Sequence, residues 1–391
     1  MTDLKLGIIG IGNMGRAHAV AVANGKVEGM RLTAVCDINE AKTASFCREY
    51  EHVAAFADYH DLLDSGVCDA VLIAVPHKDH AHIAIDALNA GMHTLVEKPV
   101  DITVSAAKRL NAAAEQSGKV FGIMFNQRTN PLFQKAREIV KGGALGELKR
   151  TVWTITNWYR SERYYRSGDW RATWSGEGGG VLLNQAPHQL DLWQWICGMP
   201  VSVTAFCDVA KFHEVEVEDD ATVFTRYANG ATGTFITSTG EYPGTNRLEI
   251  AGTRGKLVLQ DGILKWWRLA EDERDVCKNS EKSCPSIPFE IEEFKQERAE
   301  SGHLGILQNF TNAVLYGEPL LADGTEGIRE LTLSNAAYLS AWTGNRTVEL
   351  PFDDAAFDRL LSEKAAASTA SKTPHPEQPV NAYKSRWQVN W

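Results

Sequence analysis

A chain of 391 residues with 44% hydrophobic and 23% charged residues is long enough for two folded domains and has an ordinary globular composition. Forty basic against fifty acidic side chains leave a net charge of -10, which argues against nucleic acid or an anionic membrane surface as the main partner. No apolar run reaches the roughly 20 residues that span a bilayer; the start of the chain shows no signal-peptide pattern; and scattered cysteines without a CxxC pair suit a reduced, cytoplasmic setting.

From Leu4 to about Phe125, short β-branched runs alternate with amphipathic helical patterns. The runs are Lys5–Ile9, Leu32–Cys36, Ala70–Val75, Thr94–Val96 and Val120–Phe125; the helices are Arg16–Asn24, Glu40–Glu49, Asp58–Asp64, His80–Ala90 and Val104–Ser117. This alternation predicts a doubly wound parallel sheet, a Rossmann domain of the α/β class over residues 1–125. A helix at Pro131–Lys141, an aromatic strand at Arg150–Tyr159, a turn at Gly176–Gly180 and a helix at Val181–Cys197 follow. Six further strands are predicted at Val201–Cys207, Ala221–Tyr227, Ala231–Gly240, Arg247–Ala251, Lys256–Gln260 and Ile263–Arg268. With hairpin turns such as Asn229-Gly230 and Asp261-Gly262, they make a large, mostly antiparallel sheet in an α+β domain over 126–364. Residues 270–302 read as polar and irregular, and helices resume at Leu304–Tyr316 and Gly327–Thr343. The tail, 365–391, is rich in Ala, Ser, Thr and Pro and is expected to lack its own fold, docking through Trp387 and Trp391. Cys277 and Cys284 share a polar loop and could pair, although free thiols are expected.

Gly10-Ile11-Gly12-Asn13-Met14-Gly15 matches GxGxxG between a strand and a helix. Gly10 permits the tight turn, Gly12 lets a pyrophosphate approach the backbone, and Gly15 lets helix and strand pack closely. Asp37 closes the second strand, where a carboxylate accepts hydrogen bonds from ribose hydroxyls, and no arginine follows it to hold a 2′-phosphate. The cofactor is expected to be NAD. Glu97-Lys98-Pro99 stands at the carboxyl end of a parallel strand, the edge where ligands bind, and a lysine there can polarise a carbonyl or stabilise an alkoxide. A surface ion pair is the plain alternative.

These motifs, with Ala74-Val75-Pro76, His80, Ala90-Gly91-Met92-His93, Gly178-Gly179-Gly180, His188 and Asp191, resemble the Gfo/Idh/MocA oxidoreductases over nearly the whole chain. The resemblance implies that Lys98 contacts the nicotinamide ribose and a substrate hydroxyl, and that His188 is the acid/base. It also implies that Pro76, His77, Glu97 and Asn126 line the cofactor cleft. Asn184, His188 and Asp191 at i, i+4 and i+7 are expected on one helix face, after a triple glycine that allows a ligand close approach. An imidazole suits acceptance of a hydroxyl proton near neutral pH. Many relatives carry an aspartate where Asn184 stands; asparagine holds no charge, so it is read as orienting substrate. No metal is expected.

Seven aromatics lie between Trp153 and Trp174, interleaved with arginines. Trp153 and Trp158 read as core, whereas Tyr164, Tyr165, Trp170 and Arg171 are candidates for a sugar pocket, as are Arg128 and His303. The expected activity is hydride transfer between NAD and a hydroxyl carbon of a sugar, polyol or glycoside, with C3 of a glycoside as one option. The alternatives are an NAD-retaining glycoside-cleaving enzyme working by transient C3 oxidation and elimination, and a non-catalytic dinucleotide sensor. An open sheet with apolar residues on both faces predicts a homo-dimer or homo-tetramer.

Overall fold

The computed structural model describes residues 3–168, 170–296 and 301–368. The first sheet is built from β1 (Leu4–Ile9), β2 (Met30–Cys36), β3 (Ala54–Phe56), β4 (Ala70–Ile73), β5 (His93–Val96) and β6 (Phe121–Ile123). Its order is β3-β2-β1-β4-β5-β6, all parallel, so the winding reverses between β1 and β4. A cleft opens at that point beyond the carboxyl ends of the strands. Helices α1 (Asn13–Ala23), α2 (Glu40–Glu49), α3 (Tyr59–Asp64), α4 (His80–Asn89) and α5 (Val104–Ser117) supply the crossovers. The sequence marks their ends chemically. Asn39, Asp58 and Thr103 cap α2, α3 and α5 through side-chain oxygens, and Gly118, at φ 62°, ends α5 in the left-handed region.

The second layer holds α6 (Pro131–Lys141), β7 (Leu148–Ile155), α7 (Glu162–Tyr165) and α8 (Pro187–Cys197). Then come β8 (Ser202–Val209), β9 (Glu218–Arg226), β10 (Thr232–Ser238), β11 (Asn246–Gly252), β12 (Gly255–Gln260) and β13 (Ile263–Leu269). The remaining elements are α9 (Glu273–Asn279), β14 (Phe289–Lys295), α10 (Gly302–Tyr316), α11 (Gly327–Trp342), β15 (Val348–Glu349) and α12 (Asp354–Ala366). The strands form one sheet, β14-β13-β12-β11-β7-β10-β9-β8-β15, antiparallel except where β7 meets β10. One face packs on α6, α8 and α11, with Trp153, Trp193, Phe235 and Tyr338 fully buried. Trp158 is buried there too.

Helix α11 ties the two layers together. Leu331 near its start belongs to the first core, and Leu333 to Leu339 belong to the second. Asn335 on the same helix accepts from the Val104 N–H at 3.1 Å and donates to the Ile102 carbonyl at 3.2 Å, fastening α5.

Several sequence expectations need correction. Residues 270–302 were expected to be irregular, but they hold α9 and edge strand β14, whose short pattern in a charged context carries little periodic signal. β3, at three residues, is too short to register as a pattern. The helix expected from Val181 begins only at Pro187, a residue favoured in a first helical turn, so Asn184 precedes it. α12 runs to Ala366, and the expectation of docking through Trp387 and Trp391 lies outside the described residues. Cys277 and Cys284, by contrast, are free thiols as expected, and both are exposed.

Candidate active site

The β1–α1 turn is shaped by what its glycines exclude. A Cβ on Gly10, at φ 92°, would stand 2.5 Å from the Ala74 carbonyl oxygen, and one on Gly15 would stand 1.7 Å from that of Gly10. Gly12 has open space where its Cβ would project. No side chain caps α1 and no acid occupies its first turn, so its N–H groups and positive dipole end face the cleft uncompensated. The Asn13 amide nitrogen and the Asn126 Oδ1 are buried without a partner among the described residues. Asp37 accepts from the Ile11 N–H at 2.9 Å and the Asn39 N–H at 2.9 Å, with the Lys42 ammonium 3.4 Å away. Beside it lies a cavity of about 280 Å³ lined by Ile11, Arg16, Ala41, Lys42 and Ser45. Uncapped amides, orphaned amide groups and a carboxylate at the far end fit a dinucleotide.

At the end of β5, Glu97 is buried and its Oε1 lies 2.7 Å from the Nε2 of His18. Burial alone would push this carboxyl up. The hydrogen bond and charge of His18, with His303 and Lys98 nearby, hold it instead at about 2. The Lys98 ammonium reaches across to donate to the Asn184 carbonyl at 2.8 Å, joining the end of β5 to the segment before α8. Burial lowers its pKa, and Glu97, Glu330 and Glu177 oppose that shift. His188, on the first turn of α8, is buried, and its Nδ1 has no partner among the described residues. Burial, reinforced by Lys98 and His303, holds its pKa well below 6.5, so the ring is neutral. Lys98 and the segment around His188 thus form one cluster.

His77 is buried beside this cluster, its Nδ1 3.4 Å from the Glu177 carbonyl and its ring 5.5 Å from Trp170, edge to face. Pro76 precedes it at the start of a 3₁₀ turn. His80 is committed to the backbone, with the Pro99 and Val75 carbonyls at 2.7 and 2.8 Å from its ring nitrogens. Arg171 lies over the rings of Trp170 and Tyr164, at 4.6 and 4.9 Å, and donates to the Tyr164 hydroxyl at 3.2 Å. Gln185 donates to the same hydroxyl at 3.1 Å.

Other expected site residues sit elsewhere. Arg128, read as a substrate arginine, is fully buried and forms a two-point ion pair with Asp191, at 2.8 and 2.6 Å. Its Nη1 donates to Glu326 and the Leu321 carbonyl, and the whole side chain is enclosed by protein. Asp191 is therefore the partner of Arg128. Tyr165 is a core residue whose hydroxyl donates to Thr239 Oγ1 at 2.7 Å. His303 packs behind Glu97, edge to face on His18 at 5.6 Å, and burial takes its pKa down to about 3. The triple glycine makes its close approach to protein rather than to a ligand. A Cβ on Gly179 would meet the Tyr338 hydroxyl at 2.2 Å, and one on Gly180 the Glu218 carbonyl at 1.9 Å.

Two residues escaped the sequence reading. Glu177 is buried against Asn184, and a carboxylate inside a glycine turn was the available signal. Glu330 is fully buried with both oxygens unpartnered among the described residues, and nothing in a helical pattern announces that. Among the described residues no helix is long and apolar enough to cross a membrane.

Comparison with known proteins agrees with this geometry. Residues 4–125 match the family model described as "Oxidoreductase family, NAD-binding Rossmann fold", and residues 133–258 match the GFO/IDH/MocA C-terminal domain. The chain is similar to myo-inositol 2-dehydrogenase of Thermotoga maritima, 24% identical over 85% of this chain and 95% of the relative. It is also similar to levoglucosan dehydrogenase of Pseudarthrobacter phenanthrenivorans, 27% identical over 66% of this chain and 74% of that one. Among solved structures, the WlbA dehydrogenase of Bordetella pertussis, in complex with NADH and UDP-GlcNAcA, superposes with a TM-score of 0.74 at 25% identity, covering 90% of this chain and 100% of that one. The chain belongs to the Gfo/Idh/MocA family and is an NAD-dependent oxidoreductase.

Proposed function

We propose that the enzyme moves a hydride between NAD and a hydroxyl carbon of a sugar, polyol or glycoside, with Lys98 and His188 as the reacting pair. The carrying observation is the 2.8 Å contact of the Lys98 ammonium with the Asn184 carbonyl, four residues before a neutral imidazole whose Nδ1 has no partner among the described residues. NAD, when bound, accepts the hydride. His188, unprotonated, accepts the hydroxyl proton, and the Lys98 ammonium stabilises the negative charge that grows on that oxygen. Gly10, Gly12, Asn13, Met14 and Gly15 hold the pyrophosphate, Asp37 the adenosine ribose, and Pro76, His77, Glu97 and Asn126 the nicotinamide end.

Substrate recognition falls to Tyr164, Trp170, Arg171 and Asn184. Ring faces pack on sugar C–H groups, and the arginine donates to hydroxyls or a carboxylate. The substrates named for the two curated relatives, a cyclic polyol and an anhydro-sugar, support this class. The protein works in the cytoplasm as a homo-dimer or homo-tetramer. Support for assembly comes from the large sheet and its flanking loops, which leave Phe206, Phe212, Phe289, Ile291 and Tyr242 about half exposed or more. A monomeric mass at micromolar concentration sinks the oligomer.

The function is tested by screening sugars, polyols and glycosides for NADH absorbance. Turnover with one NADH per oxidised hydroxyl is expected, and it must disappear in Lys98→Ala and His188→Ala. Unchanged turnover in both variants overturns the assignment, and glycoside cleavage without NADH replaces it with an elimination.

A further inference from the structure

Asn184 is held at two points. Lys98 donates to its main-chain oxygen at 2.8 Å, and its own side-chain nitrogen donates to Glu177 Oε1. A carboxylate oxygen only accepts, so the amide is fixed with nitrogen toward Glu177 and Oδ1 turned away. No described residue donates to that Oδ1. The second Glu177 oxygen accepts from the Ala172 N–H at 2.6 Å, so both oxygens act as acceptors; burial raises the pKa of this carboxyl, and Arg171, the two hydrogen bonds and Lys98 oppose that shift. Arg171 stands 4.0 Å away, and the Glu177 carbonyl faces His77 Nδ1 at 3.4 Å. The local backbone bends to make these contacts: Ala172 sits at φ 49°, where residues with a Cβ are rarely found. The carboxylate is 2% exposed, a costly place for a charge unless the surrounding groups use it.

We propose that Glu177 is a positioning residue for hydride transfer: through Asn184 it holds the Lys98 ammonium in place, aims the Asn184 Oδ1 at a substrate hydroxyl, and supplies the charge that the uncharged Asn184 lacks. The inference rests on the reading of Lys98 and His188 as the reacting pair. The lysine is faced by Glu97 from β5, Glu330 from α11, and Glu177 and Arg171 from the loop before α8. The imidazoles of His77, His80, His188 and His303 also face it. Removing one of its anionic neighbours makes it lose its proton at lower pH.

The experiment uses the full-length enzyme, NAD and the best substrate from the screen, with E177Q, N184D and the double variant E177Q/N184D. E177Q is expected to lower kcat about 10- to 100-fold, the worth of a hydrogen bond to a charged group. It should also move the alkaline limb of the kcat/KM profile down by about half to one pH unit, while the NADH dissociation constant stays within about threefold. N184D sets two carboxylates in contact and is expected to cost at least as much as E177Q. The double variant restores one carboxylate facing one amide and is expected to recover at least about tenfold over E177Q. An E177Q enzyme with unchanged kcat and alkaline limb overturns the proposal. So does a loss of activity with no limb shift and no recovery in the double variant, which marks a merely structural residue. If E177Q does not fold, N184D decides, and wild-type turnover in N184D overturns the proposal. Loss of turnover in K98A and H188A alongside an unaffected E177Q removes this inference alone; unaffected K98A and H188A remove the parent reading.

Discussion

Helix α8 carries two polar centres three residues apart, and they are built in opposite ways. Asp191 is closed: Arg128 grips it at two points, Gln194 donates to it at 2.9 Å, and the arginine also donates to Glu326 and the Leu321 carbonyl. His188 is open, with a buried nitrogen that no described residue satisfies, beside an ammonium whose anionic neighbours only offset burial. A fully paired buried charge is costly to break and idle toward ligands, whereas an unpartnered buried polar atom is poised for what binds. The difference separates scaffold from chemistry where sequence spacing treats the two alike.

On the open side, Lys98→Ala or His188→Ala is expected to cut kcat/KM by roughly a hundredfold to ten-thousandfold with little change in melting temperature, read by steady-state kinetics and calorimetry. On the closed side, Arg128→Met leaves Asp191 buried and unpaired, and is expected to cost about 3–5 kcal/mol of stability, read by urea unfolding, with kcat of the folded enzyme nearly preserved. If Arg128→Met instead abolished kcat in a stable protein, the division between the two centres would fail. At the cofactor end, Asp37→Ala removes an acceptor of ribose hydroxyls and is expected to weaken NAD binding by about 1.5–3 kcal/mol, measured by NADH fluorescence titration.

The smallest effect concerns pH. Burial raises the Glu330 carboxyl well above 4.5, so the fold favours its protonated form, and its contribution is fully present below 4.5 and lost as pH rises through the folded pKa. His77, His188 and His303 are depressed below 6.5, so the fold favours their neutral forms, and their contribution is lost as pH falls below 6.5. Glu330→Gln is therefore expected to raise the melting temperature at pH 8 by the equivalent of about 1–2 kcal/mol and to change little near pH 4.5. A variant less stable than wild type at pH 8 would show that the Glu330 carboxylate is satisfied after all.

Much of the frame is local and was legible in the residues. GxGxxG turns and alternating strands and helices are set by backbone sterics and periodicity, which act over a few residues. So the Gly10–Gly15 turn, the doubly wound first sheet and the antiparallel second sheet follow from the sequence, with α5 and α6 ending at the expected residues. Lys98 and His188 were singled out by position and by resemblance, and the fold brings them into one cluster. Only the tertiary structure decided the partners. Asp191 pairs with Arg128 across 63 residues of chain, and the triple glycine serves Tyr338, which lies 158 residues beyond Gly180. Glu177 becomes the carboxylate beside Asn184 because the chain turns back on itself before α8. Pairing of buried charges is chosen by desolvation and proximity in three dimensions, and neither is written in the spacing of residues along one helix.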